Sequence, residues 1–168
     1  MDQKKKLRKE HKKVRRVQLN SAILKALQAH GDVVRRVQKR TGIWVTIRCV
    51  CAVVLLAMAV PGYLDLNATA ANLVPSVAGA FLLSALLCRG LRIFAWLSLA
   101  GTAYSTANFL LSLGYIGPYL ASSPVLILSM GVTILDIVTS FAVMIPLVRD
   151  PGYKALAAEL KQLRNTIR

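Results

Sequence analysis

Long apolar runs alternate with short links along this chain, and the length of each run decides what it can form. A helix rises about 1.5 Å per residue, so about 20 apolar residues cross a bilayer. Four segments qualify: Ile43 to about Val60, about Ala70 to Cys88, Ile93 to about Leu113, and Pro124 to Val148. Between them lie the links "LDLNAT", "RGLR" and "GYIGPYLASS". The pattern predicts an all-α integral membrane protein with four transmembrane helices.

Polar positions within the runs are not scattered. In the third run Ser98, Gly101, Ser105, Asn108 and Ser112 recur at spacings of 3, 4, 3 and 4, and Thr102 and Thr106 widen the stripe. The fourth run carries Ser129, Thr133, Asp136 and Ser140, and the second carries Ser76, Ala80 and Ser84. Such spacing puts each set on one helical face. Lipid gives helices no hydrophobic reason to associate, so small and polar faces mark where they pack. These faces are expected to converge, with Asp136 turned from lipid and bonded by hydroxyls one turn away or by Asn108.

The flanks read differently. Residues 1–42 have strong helix formers, no proline and a nearly all-basic polar face. Val14, Val17 and Leu24 share one stripe, while Ile23, Leu27, Val34 and Val37 continue a neighbouring one. Gly31-Asp32 reads as a C-cap followed by an N-cap, which predicts helices over about 4–29 and 33–41. After Val148, Asp150 and Pro151 form an N-cap and N1 pair. Leu156, Leu160, Leu163 and Ile167 then make one apolar stripe on a short amphipathic helix. That helix would rest on the membrane, on the N-terminal helix or on a partner. Three regions follow: 1–42 as a basic helical segment, 43–148 as the membrane domain, and 149–168 as the C-terminal helix.

Charge fixes an expected orientation. Residues 1–42 hold 14 of the 22 Lys and Arg, "RGLR" holds two, and the tail after Val148 holds five; the links at 61–70 and 114–123 hold none. Cations collect on the cytoplasmic side, which predicts cytoplasmic N- and C-termini. Between Ile43 and Val148 there are five charges: Arg48, Asp65, Arg89, Arg92 and Asp136. A charge at bilayer centre costs about 2.5–3.5 kcal/mol on insertion scales, so Asp136 is a functional candidate. Arg48, counted from Ile43, lies near the cytoplasmic edge, where its side chain is expected to snorkel to the headgroups. Without a cation beside it, burial would favour the neutral form of Asp136.

Candidate chemistry narrows the classes only a little. Cys49, Cys51 and Cys88 read as small hydrophobes, with acylation of Cys88 as the alternative. His11 and His30 have no second ligand at metal spacing, and no cofactor motif is present. A nucleophile elbow, a phosphate loop and paired intramembrane carboxylates are all missing, which argues against an enzyme. "AMA" at 57–59 resembles a cleavage site behind too long a basic lead, so the first span is expected to stay. Asn67-Ala68-Thr69 spells a glycosylation sequon in a link too close to the membrane to be modified.

Two functions remain. One is an oligomeric pore or small transporter with a polar interior around Asp136, Asn108, Ser105, Thr133, Ser129, Ser140 and Arg48. The other is a non-transporting scaffold or complex subunit. Its basic helices would dock on anionic lipid or a partner protein through Lys12, Lys13, Arg15, Arg16, Arg35, Arg36, Lys39 and Arg40. Nucleic acid is the weakest partner, because no aromatic stacking platform accompanies the basic residues.

Overall fold

The computed structural model describes residues 2–117 and 123–166, with no account of the side chains of residues 2–9, 11, 12, 68 and 116. The described residues form six helices: α1 (Asp2–Ala29), α2 (Gly31–Ala59), α3 (Leu66–Cys88), α4 (Ile93–Ile116), α5 (Pro124–Arg149) and α6 (Pro151–Thr166). Helices α2, α3 and α5 are long and apolar enough to cross a membrane. Helix α4, at 24 residues, has the length to do so but is not among these three.

The chain breaks where Gly31 predicts it, at His30, whose φ of −102° and ψ of 34° leave the helical region. It does not break again. The expected short helix over 33–41 and the expected span from Ile43 are one continuous rod, so the boundary at 42/43 falls inside α2. Thr41 and Gly42 are weak helix formers at that joint, but one glycine costs only about 1 kcal/mol. Helix α2 ends at Ala59 with Val60 as its C-cap, just before Pro61, which has no N–H to extend the ladder. Gly62 then turns the chain with a φ of +85°.

Helix α2 packs against both α3 and α5, α5 packs against α4, and α3 meets α4 only loosely. The four long helices thus ring an interior whose α3–α4 seam is the weakest. Helices α1 and α6 pack on each other at one end of this ring. The core sits at that end: Trp44, Leu87, Met144, Leu147, Tyr153, Leu156 and Leu160 are each at most 1% exposed. Away from it the long helices expose Val53, Val74, Phe81, Leu82, Leu111 and Ile127. An apolar belt of that extent belongs in lipid.

Of the three settings expected for α6, the structure shows the N-terminal helix. Asp150 caps α6 as its sequence implies, its Oδ1 accepting from the N–H of Gly152 at 2.9 Å and of Tyr153 at 3.2 Å. Leu156 and Leu160 are buried and Leu163 is half-buried, whereas Ile167 lies outside the described residues. His30 Nε2 meets Glu159 Oε2 at 2.9 Å across the α1–α6 contact.

The α3–α4 link is a Schellman turn. Gly90 has a φ of +72°, its N–H donates to Leu87 O at 2.9 Å, and the Leu91 N–H reaches Leu86 O at 3.2 Å. Helix-end carbonyls need outside donors. Tyr153 Oη supplies one to Leu87 O at 3.0 Å, and Arg92 Nη2 supplies one to Val148 O at 3.0 Å. Together these bonds tie α3, α4, α5 and α6 into one end-plate.

Burial pushes the Tyr153 hydroxyl up from its usual range. A group whose folded pKa is raised stabilises the fold below its unfolded value, about 10, and loses that contribution as pH rises beyond it. Alkaline pH above about 10 should therefore loosen α6. Tyr153→Phe removes the bond at a cost of about 0.5–1.5 kcal/mol. The same change should flatten the alkaline loss relative to the unmodified chain, as read by thermal unfolding against pH. Parallel pH profiles for the two proteins would exclude this role.

Candidate functional site

Helices α2 and α5 run antiparallel and meet in register. Trp44 Nε1 donates to Ser140 Oγ at 2.9 Å, and Cys51 Sγ approaches Val132 O at 3.9 Å. Between these two contacts lies an ion pair. Arg48 Nε donates to Asp136 Oδ1 at 2.9 Å and Nη2 to Oδ2 at 2.8 Å. As α2 advances by four residues α5 recedes by four, so Trp44 to Arg48 matches Ser140 to Asp136. Two parallel N–H···O bonds make this the strong, directional form of an arginine–carboxylate contact. The face of Trp44 covers the guanidinium at 5.0 Å from the ring centroid, a cation–π contact that gains as water is excluded.

This corrects the expected snorkelling of Arg48. Counting from Ile43 placed Arg48 at a membrane edge with its head among lipid headgroups, but its guanidinium is held on Asp136 of α5 instead. The sequence held the signal. Arg48 precedes Val60 by twelve residues, and Asp136 follows Pro124 by twelve, so on antiparallel helices with paired far ends the two charges share a depth.

The hydroxyls have other partners than those expected. Thr133 Oγ1 donates to Ser129 O at 2.9 Å, and Ser129 Oγ to Leu126 O at 3.0 Å. Ser140 is fully buried and accepts from Trp44. On α4, Thr102 bonds back to Ser98 O at 2.9 Å and Ser112 to Asn108 O at 2.9 Å. Ser and Thr commonly satisfy themselves on the preceding turn in this way. Asn108 is exposed, and no hydrogen bond joins its amide to Asp136 among the described residues.

The expected convergence of polar faces therefore holds in part. Ser98 and Thr102 are buried, while Gly101, Ser105, Asn108 and Ser112 are exposed along α4. Arg48 and Asp136 open onto a cavity of about 320 Å³ that Ser76, Ser98, Thr102 and Ser105 also line. Of the expected pathway residues, Arg48, Asp136 and Ser105 line it. Ser129, Thr133, Ser140 and Asn108 do not.

The expected docking residues sit at the basic end. Lys13, Arg15 and Arg16 are exposed on α1, Arg35, Arg36 and Lys39 are exposed on α2, and Arg40 is half-buried. The side chain of Lys12 lies outside the described residues. Arg36 Nη1 comes within 3.8 Å of Asp150 Oδ2 while its side chain stays 57% exposed. Val14 and Val17, 55% and 63% exposed, add an apolar strip to this basic face of α1.

No protein-family model, curated protein or solved structure matches the chain.

Proposed function

We propose that this is a four-span membrane protein with both termini in the cytoplasm, assembled as a homo-oligomer and passing a small polar solute or ion through the cavity beside Arg48 and Asp136. The cavity carries this reading: a space of about 320 Å³, at membrane depth, floored by a charge pair and rimmed by hydroxyls. An ionisable group at that depth is costly and marks a pathway by default. Orientation rests on the gathering of α1, the α3–α4 link and α6 at one end, which puts the basic regions on one side. Oligomerisation rests on α4. Its exposed Gly101, Ser105, Asn108 and Ser112 form a small, polar ridge that lipid solvates poorly and a second copy would cover. In this reading Arg48 and Asp136 part to admit a charged solute and close behind it.

The test uses liposomes holding a pH-sensitive dye, with the proton as probe. The unmodified chain should give pH-dependent flux. The double change Arg48→Gln, Asp136→Asn, which leaves no stranded charge, should abolish the flux while the detergent-solubilised particle keeps its mass. Equal flux from both would eliminate transport. A scaffold is the second reading, favoured by the closed bidentate pair and the exposed basic face of α1. Absence of flux together with tighter binding of the chain to anionic than to neutral vesicles would move the assignment to it.

A further inference from the structure

At the basic end a second cleft, separate from the Arg48–Asp136 site, lies between the α3–α4 link and the outer face of α6. Its volume is about 330 Å³, and its walls include Gly90, Arg92, Ile93, Lys154, Lys161 and Arg164. Lys154, Lys161 and the alanines between them recur at helical spacing, so one face of α6 presents them together. The opposite face is the one buried through Leu156 and Leu160.

Four cations line this cleft, and among the described residues no carboxylate does. The acids nearby are engaged elsewhere: Glu159 with His30, and Asp150 with the first turn of α6 and with Arg36. Like charges gathered without a counter-ion repel, so the arrangement calls for an anion. Arg92 supplies a second sign. Its Nη2 is held on Val148 O at 3.0 Å, while its Nε is buried with no hydrogen-bond partner among the described residues. Arg164 is oriented similarly, with Nη2 at 3.4 Å from Arg89 O.

The position selects the kind of anion. The cleft lies where α4 begins at Ile93 and α5 ends at Arg149, the level of the headgroups for helices that cross a bilayer. Directly along α4, Ile93, Trp96 and Leu97 are 63%, 55% and 56% exposed. Tryptophan at this height is typical of the membrane–water boundary, and the three make an apolar track for an acyl chain.

We propose that this cleft binds the phosphate of an anionic phospholipid headgroup, with Arg92, Lys154, Lys161 and Arg164 as its cationic walls and the lipid tail along α4. Basic recesses between helices on the cytoplasmic side suit such headgroups. The inference rests on the membrane-spanning reading and is independent of transport.

The full chain, purified in neutral detergent, would be mixed with phosphatidylglycerol or phosphatidylcholine and its retained lipid read by native mass spectrometry. Phosphatidylglycerol should be retained and phosphatidylcholine lost. Lys161→Ala with Arg164→Ala should lower retention about tenfold or more, and Lys161→Arg with Arg164→Lys should restore it. Both positions lie off the buried face of α6, and Lys25→Ala, an exposed lysine on α1, serves as the control. Equal retention of the two lipids, or no loss in the alanine variant, overturns the proposal. Displacement of bound lipid by millimolar inorganic phosphate would also overturn it, by showing that the site takes soluble phosphate. A chain found in the bilayer fraction that retains no lipid would sink this inference and leave the spans standing.

Discussion

Asp136→Ala should lower the unfolding free energy of the detergent-solubilised protein by about 3–5 kcal/mol, because it strands a cation inside the bundle. Arg48 and Asp136 are 21% and 28% exposed, so water from the cavity compensates the lost partner only in part. The loss measures the uncompensated charge more than the worth of the pair. Two desolvated ions only roughly offset their desolvation by mutual attraction, so replacing both with apolar residues of similar volume is often nearly neutral. Arg48→Met combined with Asp136→Leu should therefore recover most of the stability. Unfolding curves for the two single variants and the double decide the matter. If Asp136→Ala alone costs no more than the double, the pair is not desolvated and the charge floor of the cavity is wrong.

Gly90→Ala should cost roughly 2–5 kcal/mol and release α6 from the end-plate. Two effects combine. A φ of +72° costs an L-residue about 1–2 kcal/mol. A methyl group there would also overlap Leu160 Cδ1, a fully buried side chain with little room to turn. Overpacking of that kind adds about 1–3 kcal/mol. The parts can be separated. Against a Leu160→Ala background the overlap is gone, so Gly90→Ala should then cost only its backbone share. Limited proteolysis reports the consequence directly, since a released α6 exposes Tyr153 and Leu156 to cleavage. A Gly90→Ala protein whose α6 resists protease as the parent does would refute the close approach.

Much of the architecture was legible in the chain. Three of the four expected spans follow from run length, the break near Gly31 from cap chemistry, and the start of α6 from Asp150 and Pro151. All of these are local rules, in which neighbours in sequence decide the outcome. What the chain concealed depends on distant pairs. The expected boundary at 42/43 does not form, because tertiary packing of Trp44 and Val45 carries the helix through it. The meeting of Arg48 with Asp136 requires knowing that α2 and α5 are antiparallel neighbours. The stripe on α4 misled because periodicity shows that a face exists without showing what covers it; there Ser98 and Thr102 turn inward and Asn108 does not.

One property of α2 carries further than its packing. The same unbroken rod that leaves His30 beside α1 and α6 delivers Arg48 to the middle of the bundle, about 27 Å away at 1.5 Å per residue. Without a joint, it acts as a lever. A tilt of ten degrees at the basic end would swing the guanidinium by roughly 5 Å, more than the reach of either bond to Asp136. A displacement of the basic end of α2 should therefore reach the Arg48–Asp136 pair without any change within the rod between them.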